Sequence, residues 1–311
     1  MPLGAHKDRS TELLAGLSRF ESENNPLLGI VDAACRETLI AQMISSLRRV
    51  EYINVLVSAS LDADRCVPTS RLFDPIRGAA LLSRKGEFDE AVWMTFVATH
   101  FGKHSRDGWK LAANVMGSFG KGPVWTAAQY SRDQQDFENM LEASQSRLSD
   151  PNQSGRFSNH RQYQSKDAAT IARVFRTFYE WQFKEGGFAA KVRSIHRAVG
   201  QEPTQTFDQL YKSMKTVFGF GRLGNFDFLT MIGKLQLAPI VPGSVYLQGA
   251  TGPLAGAKLL FHGNREFQVG AQTLGRKVDA LDEYLNVGKQ VLEDSMCNWQ
   301  KSPATYVYFK G

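Results

Sequence analysis

A chain of 311 residues with 42% hydrophobic and 22% charged residues can bury a large core, which excludes a disordered tail and a bare peptide-binding module. Thirty-seven basic against thirty-one acidic side chains leave a net charge of +6, a balance that admits a polyanionic partner. The three cysteines, Cys35, Cys66 and Cys297, are odd in number and lack C-x-x-C spacing. A disulfide framework and a structural zinc site are therefore not expected, and a reducing cytoplasm is.

The opening MPLGAHKDRSTELL has no apolar run after its charges and does not read as a secretory signal. Ser10 can cap a helix to Glu23, and Asp32 precedes a helix over 33–49 in which Leu39, Met43 and Leu47 recur at i+4. The β-branched stretch 52–57 reads as a short strand, and 61–75 as a loop. A helix over 88–101 carries a stripe of Phe88, Val92 and Phe96, with Trp93 and Val97 beside it. The strongest apolar run, 92–98, is far too short to span a bilayer, so no membrane partner is expected. Another helix covers 109–119.

Between 151 and 200 nine basic residues face three acids, a surplus equal to the net charge of the whole chain. Aromatics interleave this block, a pattern suited to nucleic acid. The loop 157–163 adds His160 and Arg161 as candidate phosphate contacts, and Arg193 lies further along. Helices follow at 170–183 and 207–218. Gly219, Gly221 and Gly224 spell G-x-G-x-x-G, but a helix precedes them where a dinucleotide site needs a strand. What remains is helix, glycine turn, helix over 207–237. In that layout Gly221, Arg222, Gly224 and Asn225 would meet a DNA phosphate at a helix N-terminus. An ordinary helical corner is the competing reading.

His100 and His104 lie four apart, but Phe101 stands where a zincin has glutamate and no third ligand follows, so no metal site is expected. His100, Lys103, His104, Arg106 and Asp107 read instead as a polar cluster at a helix end, able to line a pocket or to cap the helix and dress the surface. The glycine-dense stretch 246–256 suggests close backbone approach to a ligand, or a pair of tight turns. A last helical stretch covers 279–300. Leu292, Met296 and Trp299 share its apolar stripe, with Glu293 at the rim, Asp294 at the back and Lys301 along the same flank as Glu293. A carboxylate at such an edge can serve acid–base work or form a surface ion pair.

Five segments, WMTFVATHFGKHSRDGW (93–109), RFSNHRQY (156–163), FGRLGNFDFLTMIGKLQLAPI (220–240), YLQGATGPLAGAKLLF (246–261) and LEDSMCNWQKSP (292–303), together resemble the α-glutamyl/putrescinyl thymine pyrophosphorylases, clade three. That family in turn resembles the helix-hairpin-helix DNA glycosylases. The resemblance covers residue 87 onward and reaches more weakly before it. It implies a mainly α, helix-hairpin-helix glycosylase-like fold of two helical lobes around a base pocket. The expected organisation is an N-terminal helical region over 1–85 and a core over 86–311. Relatives in phage base-hypermodification systems and bacterial defence loci imply modified, phage-type DNA as partner and an antiviral role.

Three readings compete. The first is a glycosylase that flips and excises a modified base. No acid follows the hairpin at the usual glycosylase position, where the chain reads QGATGP, so the catalytic group is sought in Glu293, with Lys301, His104 and Asp107 beside it. His100, Trp109, Gln248 and Thr251 are the expected base-pocket residues. The second is a transferase that replaces pyrophosphate on an activated hydroxymethyl pyrimidine with an amine. There Mg²⁺ could accompany the pyrophosphate, with Lys103, His104, Arg106 and Lys301 as its basic groups; no cofactor is expected otherwise. The third is a DNA-binding module without catalysis.

Overall fold

The computed structural model describes residues 6–23 and 25–308. The first five residues, read above for a secretory leader, lie outside the described ones. Among the described residues there are sixteen α-helices and no strand. The protein is mainly α.

The chain divides into two compact units, one running to Tyr52 and resuming at Pro242, the other Ile53–Val241. In the first of these, helices from the two ends of the chain build one core. In that first unit the amphipathic helix Lys7–Ser22 buries Leu13, Leu17 and Phe20 with Leu39 and Met43 of helix Ala33–Ser58. The same core takes Leu260 of helix Gly252–His262, Val278 of helix Ala271–Leu285 and Met296 and Trp299 of helix Lys289–Trp299. Asp32 caps Ala33–Ser58 by accepting from the N–H of Ala34 at 2.8 Å. The Trp299 indole donates to the carbonyl of Cys35 at 3.0 Å, across 264 positions.

Two expectations about this unit change. The stretch 279–300 is not one helix: Asn286 at φ 49° and Gly288 at φ 88° break it into Ala271–Leu285 and Lys289–Trp299. The glycines of 246–256 also have a packing role. A Cβ on Gly252 would lie 2.7 Å from the Cys297 sulfur, and one on Gly256 would strike the Met296 carbonyl. Spaced i, i+4, they let two helix backbones meet closely.

The second unit is built around rings. Helix Phe88–Phe101 is buried at every position from 91 to 101, while Phe88 itself is 46% exposed. The expected stripe is thus a helix buried on all sides. Phe96 stacks on Phe178 of helix Ala168–Phe183 at 3.9 Å between centroids, and Trp93 meets Phe175 edge-on at 5.5 Å. The Trp93 indole donates to the Trp125 carbonyl at 2.9 Å. Residues 52–57 are not a strand. They complete helix Ala33–Ser58, because Ile53 and Leu56, three apart, bury on one face, and that packing outweighs β-branched propensity.

Candidate functional site

The basic loop and the glycine hairpin come together in the second unit. Helix Pro203–Ser213 starts on Pro203 with Glu202 as its cap, accepting from the N–H of Gln205 at 2.8 Å. The chain turns through Gly219, at φ 74°, and re-enters helix Arg222–Lys234. Gly221 caps this helix with no side chain, and a Cβ there would meet nothing within 4 Å. No side chain of the cap residue closes this helix N-terminus, an arrangement compatible with an anion.

Arg161 ties the loop to this hairpin. Its Nη2 sits 2.6 Å from the Asp227 carboxylate and its Nε donates to the Thr99 carbonyl at 2.7 Å. The Gln164 amide donates to the Gly219 carbonyl at 2.9 Å. Arg161 is only 5% exposed, so its charge is spent inside the protein and it positions the loop. His160 is half-buried in the single turn Asn159–Arg161. Arg222 lies over the Phe226 ring at 5.1 Å. Gly224 packs under Phe220, and Asn225 is buried with its Oδ1 unpartnered. Arg193 is exposed on helix Phe188–Val199, one turn before the equally exposed Arg197. Arg193 and Arg197 thus form an exposed basic pair at i, i+4 on one helix face; Arg197 was not singled out from the sequence, although that spacing is legible there.

The polar cluster after helix Phe88–Phe101 is a tight turn. His104 and Gly108 exchange backbone hydrogen bonds at 2.9 Å each. His104 Nδ1 accepts from the N–H groups of Arg106 and Asp107 at 3.3 and 3.1 Å, which leaves the proton on Nε2. Asp107 is held by Arg156 at 2.8 Å. Lys103, just before this turn, and Arg106, on it, are exposed.

The four expected base-pocket residues divide between the two units. His100 is 1% exposed among Phe96, Phe101, Phe157 and Phe175, with neither ring nitrogen hydrogen-bonded. Burial, and then the nearby Arg161 guanidinium, push its pKa down to about 3. Trp109 is buried too, at the start of helix Lys110–Met116. Gln248 and Thr251 are exposed and belong to the first unit.

Glu293 also belongs to the first unit. It is 5% exposed inside helix Lys289–Trp299, not at an open rim. Lys301 is exposed and donates to the Asn298 side chain at 3.3 Å. Asp294 is not an idle back-face acid: it pairs with Arg49 and accepts from the Ser46 hydroxyl at 2.7 Å, which anchors the helix. Gln248 lines a cavity that also takes residues of helix Ala271–Leu285, none of which sequence reading had marked. Among the described residues no three His, Cys, Asp or Glu side chains gather as metal ligands, and no helix is long and apolar enough to cross a membrane.

The fold and these features define an all-helical protein with a bare-capped helix behind a glycine turn. The chain belongs to the alpha-glutamyl/putrescinyl thymine pyrophosphorylase clade 3 family, whose model matches residues 34–311. The match begins well before residue 87 and so takes in most of the N-terminal helices. Comparison with curated proteins and with solved structures finds no match in either.

Proposed function

We propose that the chain modifies a pyrimidine in DNA by replacing pyrophosphate on an activated hydroxymethyl group with an amine, rather than by excising the base. The observation that carries this choice is the burial of Glu293: excision needs a carboxylate open to the sugar, and this residue is only 5% exposed. The family description, which names a pyrophosphorylase and glutamyl and putrescinyl groups, supports the same choice.

In this reaction the amine nitrogen gives up a proton and bonds to the hydroxymethyl carbon. The carbon–oxygen bond breaks, and pyrophosphate leaves with the electron pair. Positive groups at the departing oxygens lower that barrier. Lys103, just before the 104–108 turn, and Arg106, on it, are both exposed and are the candidates for that role. Among the described residues no three His, Cys, Asp or Glu side chains gather as a protein cage for Mg²⁺. DNA is held at the hairpin N-terminus by Gly221 and its neighbours, and by Arg193 and Arg197. Phage-type modified DNA remains the proposed partner, and a role in base modification or in defence against it follows from the family's chemistry.

The test supplies DNA carrying pyrophosphorylated hydroxymethyl pyrimidine together with an amine, and follows pyrophosphate and base mass. Released pyrophosphate with an amine-bearing base is the expected outcome. Free base with abasic sites and no pyrophosphate would return the chain to the glycosylase reading.

A further inference from the structure

The first unit contains a cavity of about 410 Å³ between the 244–248 segment and helix Ala271–Leu285. Gln272, Gly275, Arg276 and Asp279 line it from the helix at spacings i, i+3, i+4 and i+7, one continuous face. Tyr246, held at φ 46°, and Gln248 line it from the segment.

Three features of this cavity are unexplained by the protein's own packing. Gly275 is buried in mid-helix, yet a Cβ there would meet nothing within 4 Å. Glycine weakens a helix relative to alanine, and no neighbour requires it here. Arg276 is exposed and has no ion-pair partner among the described residues, although Asp279 lies three positions on, within ordinary pairing reach on a helix. Asp279 is half-buried, and its Oδ1 makes no hydrogen bond. The Lys289 ammonium is 3.5 Å from that oxygen but also 3.2 Å from Asp282. One lysine serves both carboxylates, and the backbone N–H groups of Val287 and Gly288, at 3.1 and 2.9 Å, go to Asp282, so Asp279 is the less compensated of the two. Burial raises the Asp279 carboxyl above its ordinary range, against the pull of Lys289.

An unpaired cation and an undercompensated carboxylate therefore face one cavity without satisfying each other. We infer that this cavity is a binding site for an α-amino acid, with Asp279 receiving the ammonium, Arg276 the carboxylate, and Gly275 leaving the room the ligand occupies. The Gln248 and Gln272 carboxamides meet a polar ligand side chain. A diamine would place its second ammonium against Arg276, and a nucleotide would bring its phosphate toward Asp279; both are disfavoured. Binding of the amino acid stands by itself. That it is the attacking amine of the transfer rests on the reaction proposed above.

The experiment is calorimetric titration of the full chain, without DNA, using glutamate, putrescine, inorganic pyrophosphate and thymidine monophosphate as probes. Glutamate is expected to bind and the other three to bind more weakly. Arg276→Gln and Asp279→Asn should each weaken glutamate by about tenfold or more, the scale of one lost charged hydrogen bond. Gly275→Leu should abolish binding while circular dichroism shows the native helix content. Should Asp279→Asn fail to fold, Arg276→Gln and Gly275→Leu decide the matter. Absence of glutamate binding, a preference for putrescine or the nucleotide, or binding that survives Gly275→Leu overturns the site. Glutamate binding in a chain that releases no pyrophosphate from DNA would sink the transfer reading alone.

Discussion

Residues 151–200 and the cavity-lining face of helix Ala271–Leu285 treat charge in opposite ways. In the first stretch most cations are taken up by the fold. Arg156 is paired with Asp107, Arg161 with Asp227, Arg176 with Glu138 and Lys191 with Glu185. Lys166 donates to the Ser154 hydroxyl at 3.1 Å, and Arg173 lies over the Phe218 ring at 3.9 Å. Lys184, Arg193 and Arg197 stay exposed. In the second stretch Arg276 and Asp279 stand three apart and do not pair. A surplus counted along the chain thus says where cations are, while packing says which of them are free to meet a ligand.

The sharpest way to break this comparison is to remove a partner from each side. Asp227→Ala strands the buried Arg161 charge. A fully buried pair would lose ~3–5 kcal/mol; because Asp227 is 38% exposed, about 2–4 kcal/mol is expected in urea unfolding. Arg276→Gln should stay within ~0.5 kcal/mol, as for an unengaged surface residue. Equal losses in the two would mean that the cavity charges are structural after all.

His100 extends the contrast, since it lies near the buried Arg161. Its folded pKa of about 3 lies below the ~6.5 of the unfolded chain, so between those values the unfolded state holds more protons. The neutral ring's contribution is therefore complete above the unfolded value and is lost as pH falls toward the folded one, at no more than ~1.4 kcal/mol per pH unit. Between pH 6.5 and 5 that amounts to about 2 kcal/mol. Denaturant midpoints across this range should fall less in His100→Phe than in the wild type. An unchanged slope would show that the ring is not desolvated as its packing indicates.

A smaller effect of opposite sign is expected at the cavity. Gly275→Ala adds a methyl where nothing lies within 4 Å, and should stabilise the helix by about 0.5–1 kcal/mol. A drop in melting temperature would show that the cavity is closed in solution. The smallest change in stability, under ~0.5 kcal/mol, belongs to the paired Arg193→Glu and Arg197→Glu substitutions. Their signature is instead a weaker DNA affinity at every sequence and a shallower salt dependence. Wild-type affinity and slope in that variant would move the DNA surface elsewhere.

Much of the fold is legible in the sequence because its causes are local. Periodic apolar positions mark the helices at 33–49, 88–101 and 170–183, and glycines between two such runs mark the hairpin turn. The family is legible from five short segments, and its model matches 34–311. The site is far less legible. Glu293 reads as a rim residue on an isolated helical wheel, but the core of Leu39, Leu260 and Met296 that encloses its helix comes from distant parts of the chain. Arg161 reads as a free loop cation until Asp227, 66 positions on, is brought to it.

What the sequence by itself determined was helix type, turn chemistry, charge total and family, each set by residues within a few turns of one another. The tertiary structure alone decided that the first unit draws on both ends of the chain, that 52–57 is helix, and that Gly275, Arg276 and Asp279 face a cavity. The physical reason is shared by all three. Burial and charge compensation are properties of side chains brought together in space, and a position's neighbours along the chain carry little information about them.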